Sequence, residues 1–262
     1  MARVRRPRRK TSTRGFTIPW RPVLGLGLLG AGVILTGLLG WYFLANWSLF
    51  RINRLEIKGL VRLSQEEVLK TADIGVSDNI FAVDVADIGH RLEAHPWISR
   101  AFVYRRLPDT LVIKIEEEVP VALTAVGGRL YLTDSRGRLF KVLEPKETAS
   151  YPVINGVRPE MIIDGRLSPA IQPVLKLLAD LRRPTSLLPV DKVSEILIRQ
   201  DELVLITKDK VYVTFTLQDL EGQYQRLEKI LAHLYNNGWY REVAAIRLDY
   251  PPGQAAVQFK GS

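Results

Sequence analysis

Three groups of residues in this sequence have types that could carry chemistry. Glu116-Glu117-Glu118 supplies adjacent carboxylates of the kind used as general acid and base. Neighbours on a strand point to opposite faces, so only Glu116 and Glu118 share one. No nucleophile motif or partner acid accompanies them, and the run reads as a solvated strand end. His90 and His95 are five apart, off the i, i+4 spacing at which two helical histidines share a metal. His233 is the one other histidine, so no metal site is expected. Gly25-Leu26-Gly27-Leu28-Leu29-Gly30 spells the dinucleotide fingerprint G-x-G-x-x-G. That fingerprint needs a strand before it, a helix after it and an acid about twenty residues on. Here the first following acid is Glu56 and the glycines lie inside an apolar run. Without cysteine there is no thiolate ligand, disulfide or cysteine nucleophile. P-loop, G-x-S-x-G and S-x-x-K motifs are also missing. These absences count weakly against an enzyme, and no cofactor or small-molecule substrate is expected. A triad need not be local in sequence, so a membrane-tethered envelope enzyme acting on cell-wall polymer stays as an alternative.

The elements that would position any site begin with a membrane anchor. Residues 1–21 contain eight basic residues and no acid. Of the 37 basic residues in the chain, 29 remain against 28 acidic ones, a net +1 over the other 241 positions. The basicity belongs to a tail, which argues against a folded nucleic-acid-binding surface. From Pro22 to Phe50 no residue is charged, and Val23 to Ala45 is the densest apolar stretch. As a helix it would reach about 34 Å, enough for a hydrocarbon core of about 30 Å. Trp20 flanks one end and Trp41, Tyr42, Phe43 and Trp47 the other, as interfacial aromatics do. The run is longer than a signal-peptide core and ends in a poor cleavage site, so the anchor is expected to stay. The basic flank places the N-terminus in the cytoplasm and residues from about 51 onward outside. Gly25 and Gly32, and Gly30 and Gly37, recur every seven positions, a small-residue face for helix packing or self-association in lipid.

After the anchor the pattern is β-α-α-β-β. A strand over Arg54–Lys58 ends at Gly59, and Ser64-Gln65-Glu66-Glu67 is a capping box that opens a helix to about Ala72. Asp84 opens a second helix, with Val85, Ile88 and Leu92 on one side and Pro96 after its end. Trp97 to Arg105 and Leu111 to Glu118 alternate as strands around the turn Leu107-Pro108-Asp109-Thr110. Past residue 120 come paired strands through Val142, a short extended Pro152–Gly156, and a helix over 168–181. Strands at Val193–Arg199, Glu202–Thr207 and Lys210–Phe215 precede a helix over 217–235. Ala244–Tyr250 and Gln254–Lys260 are the last two strands, joined by the turn Pro251-Pro252-Gly253.

The first module, with Ile57-Lys58-Gly59 closing its first strand and Asn79-Ile80-Phe81 before its second helix, resembles a POTRA domain. More specific is the run Pro96-Trp97-Ile98, Ala101, Val103, Arg105, Pro108, Leu111, Ile113, then Glu117 and Pro120-Val121-Ala122. It is similar to the FtsQ/DivIB cell-division proteins. Asp134-x-x-Gly137-x-x-Phe140, Pro152-x-x-Asn155-Gly156 and the helix followed by two strands extend the resemblance over nearly the whole chain. Two features depart from the family. Ile246-Arg247-Leu248-Asp249-Tyr250 exchanges the two charges of the family's Ile-Asp-Leu-Arg-Tyr, which would reverse a cross-strand ion pair. A glycine usual after the Lys210–Phe215 strand is missing.

The fold class expected is α+β: a tail over 1–22, one transmembrane helix over 23–45, a POTRA domain over 51–120 and a mixed β-sheet domain with flanking helices over 121–262. The resemblance implies a non-enzymatic scaffold of the bacterial division machinery in the inner membrane at the septum. In that family the POTRA part and the span serve septal localisation and contact with upstream division proteins, and the C-terminal strand docks the FtsB–FtsL pair. Carried over by position, the partner-binding residues are Tyr250, Pro252, Gly253, Ala255, Ala256, Val257 and Phe259, with Arg199 as a basic docking residue. An unpaired final strand has the means to accept a partner's strand. A POTRA-bearing translocation or membrane-assembly accessory is the other alternative. The helices over 168–181 and 217–235 and the small number of strands count against a barrel-forming member of that class.

Overall fold

The computed structural model describes residues 30–42, 50–74, 79–251 and 253–261. Residues 30–42 form an exposed helix, α1. Among the described residues no helix is long and apolar enough to cross a membrane. The basic tail and both ends of the span expected at 23–45 lie outside the described residues.

The chain continues as β1 (Arg54–Lys58), α2 (Gln65–Ala72), α3 (Val85–Glu93), β2 (Ile98–Arg106) and β3 (Thr110–Glu117). These three strands form a sheet ordered β1-β3-β2. Helix α2 starts where the sequence places it. The Ser64 hydroxyl accepts from the Glu67 N–H, and the Glu67 carboxylate accepts from the Ser64 N–H, satisfying two donors that the first turn leaves orphaned. Asp73, at φ 49°, closes the helix in the left-handed region. Gly59 stands at φ +87°, and a Cβ there would sit closer to the Ile115 carbonyl oxygen than the 3.0 Å that real Cβ atoms keep. Only glycine fits that crossing of β1 and β3.

Two compact units divide the chain. In the smaller one (residues 1–55, 75–84 and 105–111) the motif residues form a hydrogen-bonded knot. Asn79 Oδ1 accepts from the Phe81 N–H at 2.9 Å, and the Phe81 ring meets Phe50 edge-on at 5.0 Å. Arg105 donates from Nε to the Ile80 carbonyl at 2.7 Å and from a terminal nitrogen to that of Val83 at 2.6 Å. One guanidinium thus satisfies two carbonyls of the turn that follows the Arg51–Asn79 bridge.

The larger unit contains the long sheet. It is built from β4 (Pro120–Val126), β5 (Arg129–Asp134), β6 (Leu139–Val142), β7 (Val153–Asn155), β10 (Val193–Arg199), β11 (Glu202–Thr207), β12 (Tyr212–Thr216), β13 (Val243–Arg247) and β14 (Ala256–Phe259). Their order is β14-β13-β12-β11-β10-β7-β4-β5-β6, with parallel pairs at β12–β13, β10–β7 and β4–β7 and antiparallel pairs elsewhere. A separate two-stranded ribbon, β8 (Ile162–Ile163) with β9 (Arg166–Leu167), was not expected from the sequence. Helices α4 (Gln172–Leu181) and α5 (Leu220–Asn236) pack their apolar stripes onto one core with the strands. From α4 come Val174, Leu178 and Leu181; from α5 come Leu227, Leu231 and Leu234; the strands contribute Ile196, Leu205, Phe215 and Ile246. Each such side chain, fully buried, is worth about 1.5–3 kcal/mol. The helix expected at 168–181 opens as a 3-10 turn, Pro169–Ile171, before α4. The prolines explain it: Pro169 and Pro173 each lack the N–H that an α-helix interior needs, so each sits at the start of its own segment.

Two acids read as a solvated strand end are nothing of the kind. Glu117 accepts the backbone N–H groups of Val61, Arg62 and Leu63 at 2.8–3.1 Å, gathering the loop after β1 around one carboxylate. Glu118 is buried and accepts from the Arg138 guanidinium at 2.7 Å. Their partners lie about 55 and 20 residues away, so nothing in the local pattern announces them.

Candidate functional site

The far edge of the long sheet brings the expected partner-binding residues together. Strand β14 is outermost and pairs antiparallel with β13, with Ile246 opposite Val257 and Arg247 opposite Ala256. Lys260 N–H donates to the Glu242 carbonyl. By the two-residue alternation, the backbones of Gln258 and Ala256 turn toward β13 and that of Val257 turns outward. The strand is shorter than expected. Gln254 and Ala255 stay outside it because the turn closes through a hydrogen bond from Gln254 N–H to the Pro251 carbonyl.

Val257 and Phe259 point to the face covered by α5, where they are half-buried against the core. Beside them a groove of about 390 Å³ is lined almost wholly by apolar atoms of Ile230, Leu234, Trp239, Val257 and Phe259. Trp239 is exposed, and its ring meets the His233 ring edge-on at 5.6 Å. A row on α5 (Arg226, Ile230, His233) runs beside the core stripe at steps of four and three. Arg226 ties the 251–254 turn to α5 by donating to the carbonyls of Pro251 and Gln254 at 3.3 and 3.1 Å. Of these, Val257 and Phe259 were expected from the sequence, whereas Ile230, Trp239 and Arg226 were missed. Trp239, straight after Asn236-Asn237-Gly238, was the visible signal.

Tyr250 is exposed just past β13, with the Arg247 guanidinium 5.7 Å from its ring centre. Arg247 also donates to Asp249 at 2.5 Å, holding that carboxyl below its ordinary value. The charge exchange relative to the family is thus settled between neighbours two residues apart, not across strands as expected. Gly253 is exposed at φ +90°, and Ala255 and Ala256 follow it toward the edge. Pro252 lies outside the described residues. Arg199 is not gathered with the others. It ends β10, opposite Glu202 of β11, three strands inward from β13, or about 14 Å at normal strand spacing.

Among the described residues no group of three metal-ligating side chains exists. The arrangement is an open sheet edge with outward backbone groups, an apolar ledge, and Trp239 and Tyr250 exposed beside it.

Comparison with known proteins gives this edge its context. Residues 50–118 match the POTRA domain, FtsQ-type, and residues 122–249 match the cell division protein FtsQ/DivIB C-terminal domain. The fold is therefore that of a POTRA-bearing cell-division protein with a mixed-sheet C-terminal part. Cell division protein FtsQ of Syntrophotalea carbinolica is 31% identical over 246 residues, covering 88% of this chain and 86% of that one. Its counterpart in Anaeromyxobacter sp. is 30% identical over 268 residues, covering 99% and 87%. That of Geotalea daltonii is 32% identical over 224 residues, covering 85% and 80%. The chain belongs to the FtsQ/DivIB family. The solved major extracytoplasmic domain of DivIB from Geobacillus stearothermophilus covers 47% of this chain and 98% of that one at 22% identity, with a TM-score of 0.31, too slight a likeness to carry weight.

Proposed function

We propose that this protein is a non-enzymatic, single-span membrane scaffold of the bacterial division machinery. It binds a pair of small bitopic partners of the FtsB and FtsL type by adding a partner strand to β14. The observation that carries this reading is the position of β14 at the edge of a nine-stranded sheet, with the backbone groups of Val257 turned outward and an apolar groove beside it. Main-chain hydrogen bonds supply affinity in strand addition, and side-chain pockets supply the choice of partner. Tyr250, Gly253, Ala255, Ala256, Val257 and Phe259 would form the contact, with Trp239 and Ile230 as the groove wall and Pro252 in the adjoining turn. Arg199, three strands away, would meet only a partner segment that crosses the sheet.

In this reading residues 1–22 are a cytoplasmic tail and 23–45 the inner-membrane span. Residues 51–120 and 121–262 are the POTRA and β modules on the periplasmic side, at the septum. The test is co-purification of the detergent-solubilised chain with its membrane partners, wild type against Tyr250→Ala/Phe259→Glu, with a folding check on fragment 51–262. The expected result is a folded double variant that has lost the partners. A folded variant that still captures them would place the contact elsewhere.

A further inference from the structure

A second feature adjoins the same edge. Where β14 ends, a cleft of about 860 Å³ opens between the β11–β12 turn and the segment after α5. Lys192, Arg241 and Lys260 line it, with Asp209 as the one acid. Among the described residues none of the three cations has an ion-pair partner; Lys260 Nζ donates only to the Arg241 carbonyl at 3.0 Å. Lys208 and Lys210 flank Asp209 in sequence, while Asp191 and Glu242 adjoin Lys192 and Arg241, so the neighbourhood holds five cations against three acids.

Two tyrosines form part of the cleft wall, Tyr235 from the end of α5 and Tyr240 from the turn after it. Their rings lie 4.6 Å apart. Both hydroxyls are buried, and although the Tyr240 hydroxyl neighbours those of Tyr235 and Thr207, neither tyrosine makes a hydrogen bond of normal geometry. Buried hydroxyl donors left unsatisfied are rare and unfavourable, and each needs an explanation in a native fold. Burial drives the Tyr240 phenol well above its ordinary value, with Tyr235 and Asp209 adding to the effect, so it remains a donor at any physiological pH. Cations without counter-ions beside hydroxyls that lack well-formed hydrogen bonds define a site for an anion that brings oxygen acceptors.

We propose that this cleft receives a carboxylate-bearing segment of the same partner chain that adds to β14, a run of Glu or Asp flanking its paired strand. The proposal rests on the strand-addition reading, and continuity decides the occupant. Lys260 directly follows the last residue of β14, so a chain laid along that edge is delivered to the cleft mouth without a change of direction. A strand continuing two or three residues past Phe259 would set alternate side chains over Lys260 and Arg241. Charge pairing at such a rim fixes register and speeds encounter more than it adds affinity.

The test uses the full-length protein in detergent and a fluorescein-labelled acetyl-tetraglutamate amide, with acetyl-tetraglutamine amide as the neutral probe. At 50 mM salt the glutamyl peptide should bind at least 10-fold more tightly than the glutaminyl one, and raising salt to 300 mM should remove most of that difference. Arg241→Glu/Lys260→Glu should weaken glutamyl binding at least 10-fold, and Tyr235→Phe/Tyr240→Phe about 3-fold. Should the charge reversal disturb folding, Arg241→Gln/Lys260→Gln should still give a 5-fold loss. Equal binding of the two peptides, or indifference to the charge variants, would overturn the site. Displacement by inorganic tripolyphosphate at lower concentration than by unlabelled glutamyl peptide would overturn its occupant. Failure of the underlying reading looks different. Partner capture that survives Val257→Pro removes strand addition and with it the occupant, whereas capture lost with Val257→Pro but untouched by charge reversal rejects the cleft alone.

Discussion

Removing Arg138 should destabilise the protein more than removing the acid it serves. Glu118 keeps only 3% of its side chain exposed, whereas Arg138 keeps 34%, and they meet at 2.7 Å. Arg138→Ala leaves a carboxylate in the interior without its cation. Breaking a fully buried pair in this way costs about 3–5 kcal/mol, and access of water through the space left by a one-third-exposed arginine brings the expectation to about 3 kcal/mol. Glu118→Ala instead leaves a guanidinium with a route to solvent, so its cost should be about 1–2 kcal/mol. The double variant then resembles Glu118→Ala, and the coupling from the cycle should be about 3 kcal/mol, the whole cost of Arg138→Ala. Urea unfolding of fragment 51–262, followed by fluorescence of Trp97, whose ring packs edge-on against Phe140 at 5.4 Å, measures all four species. Equal small losses, or two losses that simply add, would falsify the claim that the pair acts as a buried unit.

Other outcomes follow from the same geometry. Gly59→Ala should cost about 2–4 kcal/mol, from the positive φ and the collision with the Ile115 carbonyl, and a midpoint within error of wild type in the same unfolding assay would contradict it. Ser64→Ala should cost about 1 kcal/mol through loss of the α2 cap, visible as faster amide exchange in the first turn of that helix. Glu67, held below its ordinary 4.5 chiefly by the Ser64 N–H and then by its hydroxyl, gives a signed pH dependence. Because the folded value is the lower one, its contribution is complete above about 4.5 and is lost as pH falls through the lowered value. The stability gap between wild type and Glu67→Gln should therefore close on acidification, and a gap that widens would reverse the assignment.

Much of this fold is visible in the sequence where short-range chemistry decides it. The Ser64–Glu67 box starts α2 where expected, and the stripes of α4 and α5 bury the residues their spacing selects. Gly59, Asn79, Phe81 and Arg105 stood out as motif letters, and each has a local steric or hydrogen-bonding reason to be what it is. What was not legible depends on distant pairing. Parallel neighbours such as β10–β7 and β12–β13 are joined through intervening elements, and no local periodicity encodes which strand lies beside which. The same limit misplaced Glu117 and Glu118 in solvent, since their partners lie about 55 and 20 residues away. The candidate edge was readable as a final alternating strand. The groove that gives it shape was not, because Ile230 on α5 and Trp239 in the turn after it are brought to β14 only by the tertiary fold.

Amide hydrogen exchange on the full-length protein, alone and mixed with the proposed FtsB- and FtsL-type partners, tests the central claim most directly. Strand addition converts the outward N–H of Val257 from solvent-exposed to hydrogen-bonded. The account predicts strong slowing of exchange across 255–259 when the partners are bound, abolished in Val257→Pro. Partner-induced protection confined to other segments, with 255–259 exchanging as in the isolated protein, would contradict it.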